Sequence, residues 1–145
     1  MAHIKRSWAI AAVSLVAACS TGNSSDPASI CTGLLAGDPE VESDLADLGA
    51  SVETYCECYA TNIDTLGEEA QTTVLKVSQV IADIRSERNV GVEGAAGIIE
   101  DDAEDANAST YDITKPEFEI TGQFVDGVRL VMRDNDGQCA QVDMR

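Results

Sequence analysis

Five cysteines and a surplus of carboxylates are the residues with which this 145-residue chain could do chemistry. Cys56 and Cys58 stand two apart in Cys-Glu-Cys, a spacing that could serve a redox pair or a soft-metal site. A reactive thiol needs a neighbouring cation or a helix N-terminus to depress its pKa. Here Glu53 and Glu57 push the other way. Among the acids, Glu117 and Glu119 would share one face of a strand, the first requirement of a glycosidase-like acid/base pair. On a chain this acidic such a coincidence reads as solvated surface. The run Asp134-Asn-Asp136-Gly137 resembles part of a calcium loop, but Met132 stands where the first aspartate belongs, so turn chemistry accounts for it better. Residues 100–105, Glu-Asp-Asp-Ala-Glu-Asp, read as solvated linker and not as a cation site. The single histidine and single tryptophan are His3 and Trp8.

The chain opens with two basic residues, Lys5 and Arg6, followed by an uncharged run over residues 7–18. That run is shorter than the ~20 apolar residues a bilayer-spanning helix needs. It suits the core of a signal peptide behind a positive n-region. It ends Val16-Ala17-Ala18-Cys19, which resembles the lipobox of bacterial lipoproteins over residues 1 to about 25. The resemblance implies cleavage before Cys19 and acylation (palmitate among the chains) of its sulfur and new amine, anchoring the protein to a lipid bilayer. In that family Asp after the cysteine tends to mark inner-membrane retention; Ser20 here implies the outer membrane, facing periplasm or cell surface. The division expected is a signal at 1–18, a small polar tether at 19–25 and one disulfide-stapled domain at 26–145.

Cleavage removes His3, Trp8, Lys5 and Arg6 but no acidic residue, so the formal charge of −17 becomes more negative still. Without histidine, a Ser-His-Asp or Cys-His site cannot be built, and the commonest metal ligand is gone. A strongly negative surface repels phosphate backbones, which excludes nucleic acid as a partner. No cofactor is expected. The Asn107-Ala-Ser109 triplet fits a glycosylation acceptor, but a bacterial lipoprotein rarely meets that machinery.

In an exported domain Cys31, Cys56, Cys58 and Cys139 imply two disulfides. On a helix Cys56 and Cys58 lie about 200° apart and cannot bond each other. Either Cys31–Cys56 with Cys58–Cys139 remains, or Cys31–Cys58 with Cys56–Cys139.

The elements that must position these residues begin at Asp26-Pro27 and Asp38-Pro39, each a cap followed by a good first helical residue. Ile30, Cys31, Leu34 and Leu35 give one short amphipathic helix. Val41, Leu45, Leu48, Val52, Tyr55, Cys56, Tyr59 and Ile63 continue at steps of three and four, with Gly49 as a break. Thr65-Leu-Gly-Glu68 reads as a capping box before the stripe Ala70, Val74, Val77, Ile81 and Ile84, with Asn89 and Gly91 as its stop. A weaker helix follows over 92–103, then a hinge over 100–110. From there Phe118, Ile120 and Phe124, and then Val128, Leu130 and Met132, alternate with polar residues. Loops at Val125-Asp126-Gly127 and Asn135-Asp136-Gly137, each with a left-handed third glycine, would make a three-stranded meander. The expected fold is therefore α+β: an N-terminal half of four to five helices packed on a small C-terminal antiparallel β-meander.

The function expected is that of a membrane-anchored envelope lipoprotein, a non-enzymatic binding or scaffolding module. The alternatives are an acidic inhibitor or adaptor that captures a basic protein such as a lysozyme, and a carboxylate-based hydrolase needing two converging acids in a cleft.

Overall fold

The computed structural model describes residues 26–105 and 109–144. Cys19, the signal, the tether and Asn107 lie outside the described residues. Six helices make up the described fold: α1 Pro27–Leu35, α2 Pro39–Asp47, α3 Val52–Ile63, α4 Glu68–Arg88, α5 Val92–Glu104 and α6 Lys115–Asp134.

The first two helices start where Asp-Pro pairs direct. Asp26 accepts from the Ser29 N–H at 2.9 Å, and Asp38 from the Glu40 and Val41 N–H groups. Gly49 then takes φ +75°, a left-handed conformation that closes α2 at little steric cost. The single stripe from Val41 to Ile63 is thereby cut into two helices, and α3 restarts on a reciprocal Ser51–Thr54 capping box. This turn lets α3 lie back along α1. The start of α4 differs from the expected Thr65–Glu68 box. Gly67 is its N-cap with no side-chain bond, while the Thr65 hydroxyl donates to the Asn62 carbonyl at 2.7 Å. Asn89, left-handed at φ +52°, ends α4.

The α4 helix is the central element, packed on α1, α5 and α6, while α3 bridges α1 and α6. Tyr59, Ile63, Val74, Val77, Ile84, Ile99, Phe124 and Val128 fill the interior between them. The rings of Tyr59 and Phe124 meet edge to face at 5.2 Å, a favoured aromatic geometry.

The C-terminal half corrects the α+β expectation. No strand is present among the described residues, and the first two expected strands are one helix, α6. Its buried face is Thr121, Phe124, Val128 and Met132, spaced three, four and four. Phe124, Val128 and Met132 satisfy helical spacing as well as alternation, so the apolar pattern alone does not discriminate. Ile120 and Leu130, which complete the alternation, lie outside the buried face: Ile120 is half-buried and Leu130 is 40% exposed. The deciding signal is local. Thr114 and Glu117 form a reciprocal capping box with Pro116 in the first turn, and this starts a helix and not a strand. Asp126-Gly127 is mid-helix, so no loop forms there. The second turn does form: Asp136 and Gly137 take φ +53° and +79° directly after α6. The third expected strand is an irregular tail, 138–144, laid across α3 and α6.

Candidate functional site

The structure joins Cys31 to Cys56 and Cys58 to Cys139, with Cα separations of 5.4 and 5.3 Å. Two residues apart on α3, Cys56 faces α1 and Cys58 faces the tail. The first bond is sealed inside the α1–α3 contact, where both cysteines are buried; in the second, Cys58 is buried and Cys139 is exposed.

The carboxylates singled out by sequence do not converge. On α6, Glu117 and Glu119 are two residues apart and point to different sides of the helix. Glu117 accepts from the Thr114 N–H and hydroxyl, both at 2.8 Å, and lies 3.3 Å from Lys76 Nζ. The Thr114 N–H above all holds its carboxyl below the ordinary range, so it is an ionised cap and no proton donor. Glu119 is exposed. Residues 100–104 are the last turn of α5, and Asp102 there accepts from the N–H groups of Thr110 and Tyr111 and the Ser109 hydroxyl. These bonds, Thr110 first, lower its pKa too. The run thus anchors the following loop. Asp134 pairs with Arg133, and Asp136 supplies turn geometry. Among the described residues, no three His, Cys, Asp or Glu side chains gather closely enough to hold a metal ion.

Three features were not legible in the sequence. One is a buried ionic joint. Asp38 caps α2 and with its other oxygen accepts from the Val92 N–H, 2.7 Å away at the start of α5. The Val92 bond is the chief reason its carboxyl stays below the usual range. Arg85, in the last turn of α4, lies 3.8 Å from Asp38 and donates to the carbonyls of Gly33, Leu34 and Ala36 at the end of α1. Both side chains are less than a tenth exposed. The pair fastens ends of α1, α2, α4 and α5 at the base of a cleft of about 400 Å³. Three carbonyls and a carboxylate thus engage the two terminal nitrogens of Arg85, while its buried Nε has no hydrogen-bond partner among the described residues.

Beside this joint, α2 and α5 flank an open groove of about 510 Å³. Val41 and Val92 contribute apolar surface, and Glu40, Asp44 and Glu93 stand around it. Neither helix contains a lysine or arginine. None of those three carboxylates has an ion-pair partner among the described residues. The clue lay in the α2 sequence, Pro-Glu-Val-Glu-Ser-Asp-Leu-Ala-Asp, acidic with no compensating base.

The third is Asn62, 2% exposed in the middle of an apolar stripe. Its amide nitrogen donates to the carbonyls of Cys58 at 3.0 Å and Ala140 at 3.1 Å, and its oxygen accepts from the Val142 N–H at 2.7 Å. One side chain therefore reads the tail's backbone on both sides of Gln141. A polar residue between Tyr59 and Ile63 was the available signal, since buried amides require partners. No family model matches this chain, and no curated protein or solved structure matches it either.

Proposed function

We propose that this protein is a lipid-anchored, non-enzymatic binding module of a bacterial outer membrane, whose α2–α5 groove takes a basic segment of a protein partner. The observation that carries the reading is the groove itself: Glu40, Asp44 and Glu93 surround Val41 and Val92 on two helices devoid of cations. Carboxylates with no internal partner favour an external cation, and the valines would receive the aliphatic stem of a lysine or arginine. The residues Val16-Ala17-Ala18-Cys19 support the anchor, and the two disulfides accord with an oxidising compartment.

Exposed ion pairs contribute roughly 0.2–1 kcal/mol each, so the binding should be moderate and fall steeply with salt. Egg-white lysozyme, a basic protein, is a suitable probe in titration calorimetry. The triple change Glu40→Gln, Asp44→Asn, Glu93→Gln should weaken binding by about tenfold. A control neutralising Glu53 and Glu57 on α3 and Asp64 just beyond it should weaken it far less. Equal losses in the two variants would reduce the effect to net charge and sink the groove assignment. Intact mass of the protein from membranes tests the anchor separately: an unmodified Cys19 would refute it.

A further inference from the structure

The two disulfides of this domain differ in what a second thiol can reach. Cys31 and Cys56 are 0% and 2% exposed, whereas Cys58 is buried and its partner Cys139 lies at the surface of the tail. We infer that Cys58–Cys139 is a thiol–disulfide exchange site for an external dithiol, and that its opening releases the C-terminal tail from the α3–α6 surface. The thiolate of the dithiol attacks the sulfur of Cys139, the exposed residue of the pair. A mixed disulfide forms as the Cys58–Cys139 bond breaks, and Cys58 leaves with the electron pair. The second thiol of the reagent then displaces Cys139. The reagent ends as a disulfide, and its two protons end on Cys58 and Cys139.

Asn62 couples this chemistry to the tail. Its amide nitrogen lies within reach of four acceptors: the Cys58 and Ala140 carbonyls, Cys58 Sγ at 3.5 Å and Cys139 Sγ at 3.7 Å. An amide has only two N–H bonds to give. When Ala140 departs, one of them is freed for the Cys58 sulfur, so the leaving group gains a donor and the buried amide nitrogen is not orphaned. The remaining attachments are few. Besides the disulfide, the tail is docked by the two Asn62 hydrogen bonds, by the burial of Val142 at 9% exposure, by Met144 packed against the core and by the Gln138 N–H bond to the Asn135 carbonyl, and Asp143 is also engaged. Ordering the backbone over 138–144 opposes docking at every residue. Without the covalent bond, the free tail is the favoured state.

The test is graded dithiothreitol on the native, oxidised protein, followed by alkylation, peptide mapping and hydrogen exchange. Cys58 and Cys139 should be alkylated about tenfold faster than Cys31 and Cys56, because access governs the rate. At that point the Val142 amide should have lost its protection while the amides of Tyr59, Ile63 and Val77 keep theirs. The double variant Cys58→Ser, Cys139→Ser should reproduce the exchange pattern without reductant. Reduction of all four cysteines together, or Cys31–Cys56 first, would overturn the inference. So would a tail that stays protected after Cys58–Cys139 has opened, or in the double serine variant.

Discussion

Gly127 lies in α6 under the C-terminal tail, and replacing it with alanine sets two effects of opposite sign against each other. A Cβ at this position would stand 2.6 Å from Cγ1 of Val142, where carbon atoms prefer about 3.5–4.0 Å. Within the helix alone, Gly→Ala gains about 1 kcal/mol. Displacing Val142 forfeits about 2 kcal/mol of burial. It also breaks the 2.7 Å bond to Asn62 and leaves a buried carbonyl oxygen unpaired, at a further cost of about 1–3 kcal/mol. The tail cannot slide far to escape, because Cys139 is fixed three residues earlier. The clash wins, and Gly127→Ala should destabilise the domain by about 2–4 kcal/mol. In a Val142→Ala background the offending methyl is gone and the nearest tail carbon, Cβ of residue 142, lies at an ordinary 3.8 Å. The same substitution should then stabilise by about 1 kcal/mol. Urea unfolding of the four proteins with disulfides intact, followed by circular dichroism, gives the cycle directly. Matching effects of Gly127→Ala in the two backgrounds, within about 0.5 kcal/mol, would show that the tail does not rest on this glycine.

Removing the Asp38 carboxylate with Asp38→Ala uncaps α2 and α5 and strips Arg85 of its counter-charge; a loss of about 3 kcal/mol is expected in the same assay. The carboxyls of Asp38, Asp102 and Glu117 are all held below their ordinary range. Their contribution to stability is therefore complete above the unfolded values near pH 4 and disappears as pH falls through the lower folded values, and an acid titration of Asp38→Asn should show a shallower fall than the parent. Asn89 closes α4 at φ +52°, so Asn89→Ala should cost about 1 kcal/mol while Asn89→Gly is close to neutral; equal effects would mean the left-handed cap is not what the asparagine supplies.

The parts of the fold legible in sequence are those specified by residues within one turn of each other. Asp26-Pro27 and Asp38-Pro39 set the starts of α1 and α2, Gly49 set the turn, and Asn89 set the end of α4. Each is a local rule that tertiary context had no reason to override. The boundary at Thr65 misled because the threonine found another acceptor, the Asn62 carbonyl, one turn back. The joint of Asp38 with Arg85 was not legible for a different reason. Its partners are 47 residues apart, and nothing in either neighbourhood distinguishes a buried carboxylate from the many exposed ones until α1, α4 and α5 bring their ends together.

The misreading of the C-terminal half has the same physical root and a structural consequence. A strand pattern and a helix pattern share positions whenever apolar residues fall four apart, as Phe124, Val128 and Met132 do, and only the capping box at Thr114 separates them. In a three-stranded meander, the segment holding Ala140 and Val142 would pair with backbone on a neighbouring strand. In the folded protein they still receive backbone-like partners, but from the carboxamide of Asn62, which offers one donor and one acceptor as a peptide group does. The extended segment is thus satisfied by a side chain on a helix in place of a sheet. A strand in a sheet would be held by a regular ladder of bonds, whereas this tail is docked mainly through the Asn62 amide, the apolar side chains of Val142 and Met144 and one disulfide. That economy of attachment makes the exposed Cys139 bond decisive for whether the tail is docked or free.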